Sequence, residues 1–63
     1  MQNLPAGLSK PAQRALANAG YTHLEQLTQV SAAELGKLHG MGPKAIDLLR
    51  RALAEHDLAF AGG

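Results

Sequence analysis

Capping and stop signals divide this chain into short apolar segments, and they limit the folds that it can adopt. Gly20 is suited to end one helix, and Ser31 is suited to cap the start of another. The paired glycines Gly40 and Gly42 precede Pro43, a residue that fits the first turn of a helix. Between these signals apolar residues recur every three or four positions. The spacing predicts an all-α fold of four short helices with short connections.

The boundaries of the predicted helices follow from the same signals. Residues 1–8 form a lead-in, and the first helix is predicted from about Lys10 to Ala19 with Ser9 as its N-cap. The pattern Thr-His-Leu-Glu over residues 22–25 is typical of a capping box and opens a second short helix that ends near position 29. A third helix is predicted from the cap at position 31 to about Leu38. The last begins at position 43 and fades over 55–57.

Further packing features follow from single positions. Val30 and Leu35 stand where a hydrophobic staple would fix the entry to the third helix. Gly36 inside that helix indicates close backbone packing. Leu58 and Phe60 are expected to fold back onto the core, and residues 61–63 are expected to form a frayed tail. Residues with helical spacing are predicted to face inward: Ala12, Ala15, Leu16, Ala19, Leu24, Leu27, Ala45, Ile46, Leu49, Ala52 and Leu53.

Length and composition exclude several classes of protein. Sixty-three residues make a single domain over 1–63, and the absence of cysteine excludes disulfides and thiol chemistry. No apolar run approaches the roughly 20 residues of a membrane span, so we expect a cytoplasmic protein without membrane contact. The histidines at 23, 39 and 56 lack the spacing of metal ligands, and no serine is paired with a base. We therefore expect no enzyme activity, cofactor, metal or small-molecule substrate.

The charge distribution leaves two kinds of partner open. The net charge is only +1, which is low for a protein that binds phosphates and favours a protein partner. However, the chain holds no acid between Met1 and Arg14, and none between Lys37 and Lys44. Arg51 stands four residues after Asp47, so an exposed salt bridge is the simplest interpretation of its charge.

The segment from Gly40 to Lys44 has the chemistry of an anion site. Glycine lets the backbone approach a ligand closely, and the first amides of the following helix lack acceptors within it. These amides stand at the positive end of the helix dipole, which favours a phosphate oxygen. We expect Gly40, Gly42 and Lys44 to donate N–H groups, and Met41 to anchor the hairpin in the core. A glycine pair between helices is also compatible with a purely structural turn.

The sequence Leu38-His-Gly-Met-Gly-Pro-Lys-Ala-Ile46 resembles the helix-hairpin-helix motif of DNA repair and polymerase proteins. More of the chain, from about Leu8 to Ala61, resembles the C-terminal domain of the bacterial RNA polymerase alpha subunit. The resemblance implies a SAM-like domain of four to five helices that contacts duplex DNA, monomeric and of bacterial type. By position, Gly42 and Lys44 match residues that meet phosphate.

The first helix departs from that family. The family's minor-groove arginine falls at Pro11, and a nearby asparagine contact falls at Arg14. Base reading is therefore not expected to carry over, although Arg14 remains a candidate phosphate contact. A faint repeat also relates residues 7–16 to residues 40–49, which indicates two similar helix starts.

The leading hypothesis is a non-enzymatic module that contacts duplex phosphates with little or no base specificity. The predicted contact residues are Gly40, Met41, Gly42, Lys44, Arg14 and Lys37. The alternative is a protein-interaction module of the same fold, in which the hairpin is purely structural.

Overall fold

The computed structural model describes residues 4–62, and its elements are helical. In chain order they are α1 (Lys10–Asn18), a 3-10 helix (Leu24–Gln29), α2 (Ala32–Leu35) and α3 (Pro43–Glu55). No β-strand occurs in that part of the chain. The prediction of an all-α protein is confirmed.

Both ends of α1 are formed by the residues that the sequence indicated. The Ser9 hydroxyl accepts a hydrogen bond from the amide of Ala12 at 3.4 Å. At the other end Gly20 has a φ of +90°, a conformation that side chains disfavour. This turn lets the amide of Tyr21 donate back to the carbonyl of Leu16 at 2.8 Å. The pattern is a Schellman stop, and it reverses the chain after α1.

The second helix differs from the predicted capping box over residues 22–25. It is a 3-10 helix that begins at Leu24, and the residue that organises its start is Gln26 rather than Glu25. The Gln26 Oε1 atom accepts from the amides of Thr22 at 2.5 Å and His23 at 2.8 Å. The box prediction was wrong because the first helical residue lies one position later, which moves the third helical position to Gln26.

The entry to α2 matches the predicted cap and staple. The Ser31 hydroxyl accepts from the amide of Glu34 at 3.1 Å. Val30 and Leu35, on either side of this cap, are 8% and 1% exposed. Both residues are buried at the two positions that a hydrophobic staple occupies.

The predicted end of the third helix was wrong. It ends at Leu35, and Gly36 is its C-cap rather than an interior residue. The chain continues to Leu38 through single tight turns, in which the amide of residue 38 donates to the carbonyl of residue 35 at 3.1 Å. A Cβ at Gly36 would meet the carbonyl of Ala32 at 3.3 Å, within its own turn. The close backbone packing expected at Gly36 is therefore with the carbonyls of its own turn.

The chain after α3 folds back as expected. Asp57 adopts a φ of +58°, and the amide of Leu58 then donates to the carbonyl of Leu53 at 2.8 Å. This geometry turns Phe60 inward, where it is 7% exposed. Asp57 therefore occupies the left-handed position that glycine usually takes at a helix end.

The C-terminal segment is tied to the body of the protein. The amide of Ala61 donates to the carbonyl of Val30 at 3.0 Å. The chain is thus held in place one residue into the predicted tail of 61–63, while residue 63 lies outside the described residues.

One apolar core joins these elements. The Cα radius of gyration of 10.1 Å is close to the value of about 10.6 Å expected for a compact chain of this length. Ala19, which was predicted to face inward, is exposed because α1 ends before it, and Ala45, Ile46 and Ala52 are half-buried. The buried residues are Leu8, Ala12, Ala15, Leu16, Leu24, Leu27, Val30, Leu35, Met41, Leu49, Leu53 and Phe60.

Candidate nucleic-acid interface

Met41 anchors the hairpin that connects α2 to α3. The residue is only 9% exposed and belongs to the core. Its amide donates to the carbonyl of Leu38 at 3.1 Å. The N–H of Met41, one of the predicted phosphate contacts, is therefore already used within the hairpin and is not a free donor.

Gly40 fixes the hairpin against the start of α1. Its φ is +96°, and a Cβ built on it would lie 2.7 Å from the carbonyl oxygen of Pro11. Real Cβ atoms do not approach a carbonyl so closely, so only glycine allows the two backbones to meet here. Gly40 thus has a packing role in addition to the phosphate contact predicted for it.

The start of α3 presents donors without acceptors. Gly42 is the N-cap, and its missing side chain cannot satisfy the amides of the first turn. The first helical hydrogen bond is from Ile46 to the carbonyl of Gly42, at 3.1 Å. Within residues 4–62, the N–H groups of Gly42, Lys44 and Ala45 have no hydrogen-bond acceptor. Pro43 carries no N–H, so these three donors make up the free main-chain set of the helix start.

The mouth of α3 is open. No atom lies within 4 Å of the place where a Cβ of Gly42 would stand. Pro43 and Lys44 are exposed, whereas Gly42 and Ala45 are half-buried. An anion could therefore reach the donors without displacing any part of the described chain.

A cleft of about 540 Å³ lies beside this mouth. One wall comes from residues 7–9, which lead into α1, and another comes from Gly40 and Gly42. The third wall is the side of α3 that carries Lys44, Asp47 and Arg51. The two segments related by the sequence repeat, 7–9 and 40–42, thus line one cleft.

The cleft contains charges of both signs. The Nε atom of Arg51 lies 3.2 Å from a carboxylate oxygen of Asp47, which confirms the surface salt bridge expected from their spacing. Their side chains are 78% and 59% exposed. The ammonium group of Lys44 forms no ion pair with any described residue. Lys44 is therefore the cation of the cleft that an incoming anion would meet first.

The remaining predicted contact residues stand outside this cleft. Arg14 is exposed on α1, one turn after Pro11, and Lys37 is exposed in the turns that follow α2. Neither contributes to the cleft wall. Arg50, on another side of α3, places its guanidinium carbon 5.9 Å from the centre of the Phe60 ring. The structure thus brings together Lys44 and the hairpin glycines in one cleft, which Arg14 and Lys37 do not line.

Sequence reasoning missed Asp47 as a member of the site. Its position one turn after Lys44 could have indicated a shared helix side, since residues three apart are neighbours on a helix. The part played by residues 7–9 was signalled only by the weak repeat.

In the described chain, no group of three or more histidine, aspartate or glutamate side chains could hold a metal ion. None of the described helices has the length and apolar character needed to cross a membrane.

Comparisons with known proteins gave no relative. No protein-family model matches the sequence, and no curated protein and no solved structure is significantly similar to it. The helix-hairpin-helix resemblance therefore rests on the residues from Leu38 to Ile46 themselves and stays a prediction.

Proposed function

We propose that this protein is a non-enzymatic DNA-binding module that holds duplex phosphates at the start of α3. The observation that carries the proposal is the set of three unpaired N–H groups, on Gly42, Lys44 and Ala45, at an open helix mouth. A phosphate oxygen there would receive main-chain hydrogen bonds and would be favoured by the helix dipole. The Lys44 side chain adds a charge-assisted contact at the same place.

The finer fold assignment belongs to the same proposal. The short helix α2 is followed by the glycine hairpin and then by the longer helix α3. This order suits a SAM-like helix-hairpin-helix domain of the RNA polymerase alpha C-terminal type. In such a domain the hairpin backbone would face the nucleic acid. Two further cations would add charge at the edges of the DNA contact. Arg14 lies one turn after Pro11, where the hairpin meets α1, and Lys37 lies in the turns after α2.

This mode of binding is expected to be weak and nearly independent of sequence. Main-chain donors bind phosphates, which position a protein on the duplex but do not identify bases. With two or three phosphates neutralised, the slope of log affinity against log salt should be about −2 to −3. The dissociation constant should fall in the range of about 10⁻⁴ to 10⁻⁶ M that is typical of non-specific binders.

A charge-matched pair of variants tests the location of the contact. Lys44→Gln removes one positive charge at the mouth of α3, and Ala54→Glu changes the net charge by the same amount. Ala54 is exposed, and it lies about 15 Å further along the helix axis. Binding to a fluorescent duplex would be followed by anisotropy from about 50 to 200 mM salt.

We expect Lys44→Gln to weaken binding roughly three- to fivefold at low salt and to reduce the salt slope by about one, because one phosphate contact is lost. Ala54→Glu should change the affinity by less than about twofold, since charges so far apart are largely screened. Equal losses in the two variants would contradict a site at the start of α3. The same assay with an RNA duplex shows whether the protein binds DNA or RNA more tightly.

The protein-interaction alternative is favoured by two specific observations. The net charge is only +1, and the carboxylate of Asp47 stands in the same cleft as Lys44. A module of this kind would show no salt-dependent affinity for a duplex, and Lys44→Gln would then have no effect on duplex binding.

A further inference from the structure

The charges along α3 differ in their freedom to meet a ligand. Lys44, Asp47 and Arg51 all line the cleft, but Arg51 is engaged by Asp47 at 3.2 Å while Lys44 has no ionic partner among the described residues. The cleft therefore contains two cations, of which one is neutralised by a neighbouring carboxylate. Its net charge is lower than its two basic residues alone would give.

We infer that Asp47 acts as a brake on phosphate binding by holding Arg51, and that Arg51 is a latent second phosphate contact. This inference rests on the proposed function, since it concerns the same cleft. By this inference Asp47 lowers the affinity for phosphate and Arg51 can raise it. An exposed salt bridge with no further role would leave that affinity unchanged when either residue is replaced.

The helix geometry gives Arg51 access to a different phosphate from the one at the helix start. Lys44 and Arg51 are seven residues apart, so they share one side of α3. The separation along the axis is about 10 Å, which is more than a single phosphate group spans. A phosphate held by the hairpin would therefore leave another within the range of the longer arginine side chain.

The ion pair is suited to exchange of its acceptor. The Arg51 side chain is 78% exposed and that of Asp47 is 59% exposed, so the pair lies in water and is weak. Guanidinium groups bind phosphate oxygens through the same paired N–H donors that they offer to carboxylates. Asp47 and a phosphate thus compete for one group, and the carboxylate also repels the incoming anion.

Four variants measure this competition. Asp47→Asn releases Arg51, Arg51→Gln removes it, and the double variant combines the two. Glu55→Gln is the control, because it changes the net charge as Asp47→Asn does but lies about 12 Å further along α3. The probe is a short DNA duplex, with affinities measured by anisotropy from 50 to 200 mM salt.

We expect Asp47→Asn to tighten binding roughly three- to fivefold at 50 mM salt and to steepen the salt slope by about 0.9. The loss of affinity between 50 and 200 mM should therefore grow by a further factor of about 3.5. Most of this gain should disappear in the double variant, and Glu55→Gln should change affinity by less than about twofold.

Two results would overturn the inference alone. In one, Lys44→Gln weakens binding but Asp47→Asn behaves like Glu55→Gln. In the other, the gain from Asp47→Asn persists in full without Arg51, so that repulsion alone explains it. If no variant binds a duplex at 50 mM salt, Asp47→Asn included, both this inference and the proposed function are refuted.

Discussion

Replacing Gly40 with alanine should destabilise the protein strongly, although Gly40 is exposed. The residue has a φ of +96°, and a Cβ there would lie 2.7 Å from the backbone oxygen of Pro11. Because the obstacle is backbone rather than a flexible side chain, the hairpin can accept the methyl group only by moving away from α1. Such a movement would also displace Met41, which anchors the hairpin in the core.

The magnitude follows from two terms. A side chain in the left-handed region costs about 1–2 kcal/mol, and overpacking of a close contact costs about 1–3 kcal/mol. The smaller entropy of the unfolded alanine variant offsets about 0.4–1 kcal/mol of this. We therefore expect a net loss of about 1–4.5 kcal/mol, with a centre near 3 kcal/mol. That is a large part of the roughly 3–9 kcal/mol expected for a chain of this length.

Gly42→Ala is the matched control in the same hairpin. Gly42 has a φ of −118°, and no atom lies within 4 Å of its missing Cβ. The loss of a favourable N-cap residue and the gain in unfolded-state entropy nearly cancel, so the change should stay within about 0.5 kcal/mol.

Urea and thermal unfolding, followed by far-ultraviolet circular dichroism, would measure both variants. At about 4–8 °C per kcal/mol for small domains, a loss of about 3 kcal/mol in Gly40→Ala should lower Tm by about 12–24 °C. A Gly40→Ala variant as stable as the wild type, or a Gly42→Ala variant as unstable as Gly40→Ala, would refute the reasoning.

Five further variants test the helix ends and the core by the same unfolding measurements. Asp57→Gly should stabilise the protein by about 0.5–1 kcal/mol, because Asp57 has a φ of +58° at the end of α3; a loss would contradict the Schellman geometry. Ser31→Ala should cost about 1 kcal/mol and Ser31→Asp much less, since the side-chain oxygen at this position caps α2; equal losses would exclude capping as the cause. Leu27→Ala should cost about 2–5 kcal/mol at a fully buried position, and Ala19→Ser less than about 0.5 kcal/mol at an exposed one; a costly Ala19→Ser would restore the inward orientation predicted from spacing.

Much of the fold could be predicted because its signals are local. A cap such as Ser9 or Ser31 acts within three residues, and the stop at Gly20 depends on its own backbone conformation. The staple between Val30 and Leu35 is a local signal of the same kind. These features need no knowledge of the tertiary arrangement, so single-sequence reasoning found them.

The errors arose where one residue shifted a boundary or where distant segments meet. The 3-10 helix begins one position later than predicted. As a result Gln26, rather than Glu25, accepts the hydrogen bond from the N-cap amide. The contact between Gly40 and Pro11 joins residues that are far apart in sequence, so no local pattern could indicate it.

The candidate site shows the same division between local and tertiary features. The free amides at the start of α3 follow from glycine and proline before a helix, and the sequence predicted those of Gly42 and Lys44 but not that of Ala45. The ion pair of Asp47 and Arg51 also followed from spacing. Its place in the cleft opposite residues 7–9 did not, because the cleft is formed by two helix starts from separate parts of the chain.

The most direct test of phosphate binding is an amide NMR titration of the protein with a short DNA duplex at low salt. The central claim predicts chemical-shift changes that are largest at the amides of Gly42, Lys44 and Ala45 and that reverse when salt is raised. If these three signals stay in place at saturating duplex while other parts of the protein respond, the start of α3 does not bind phosphate and the proposed function is wrong.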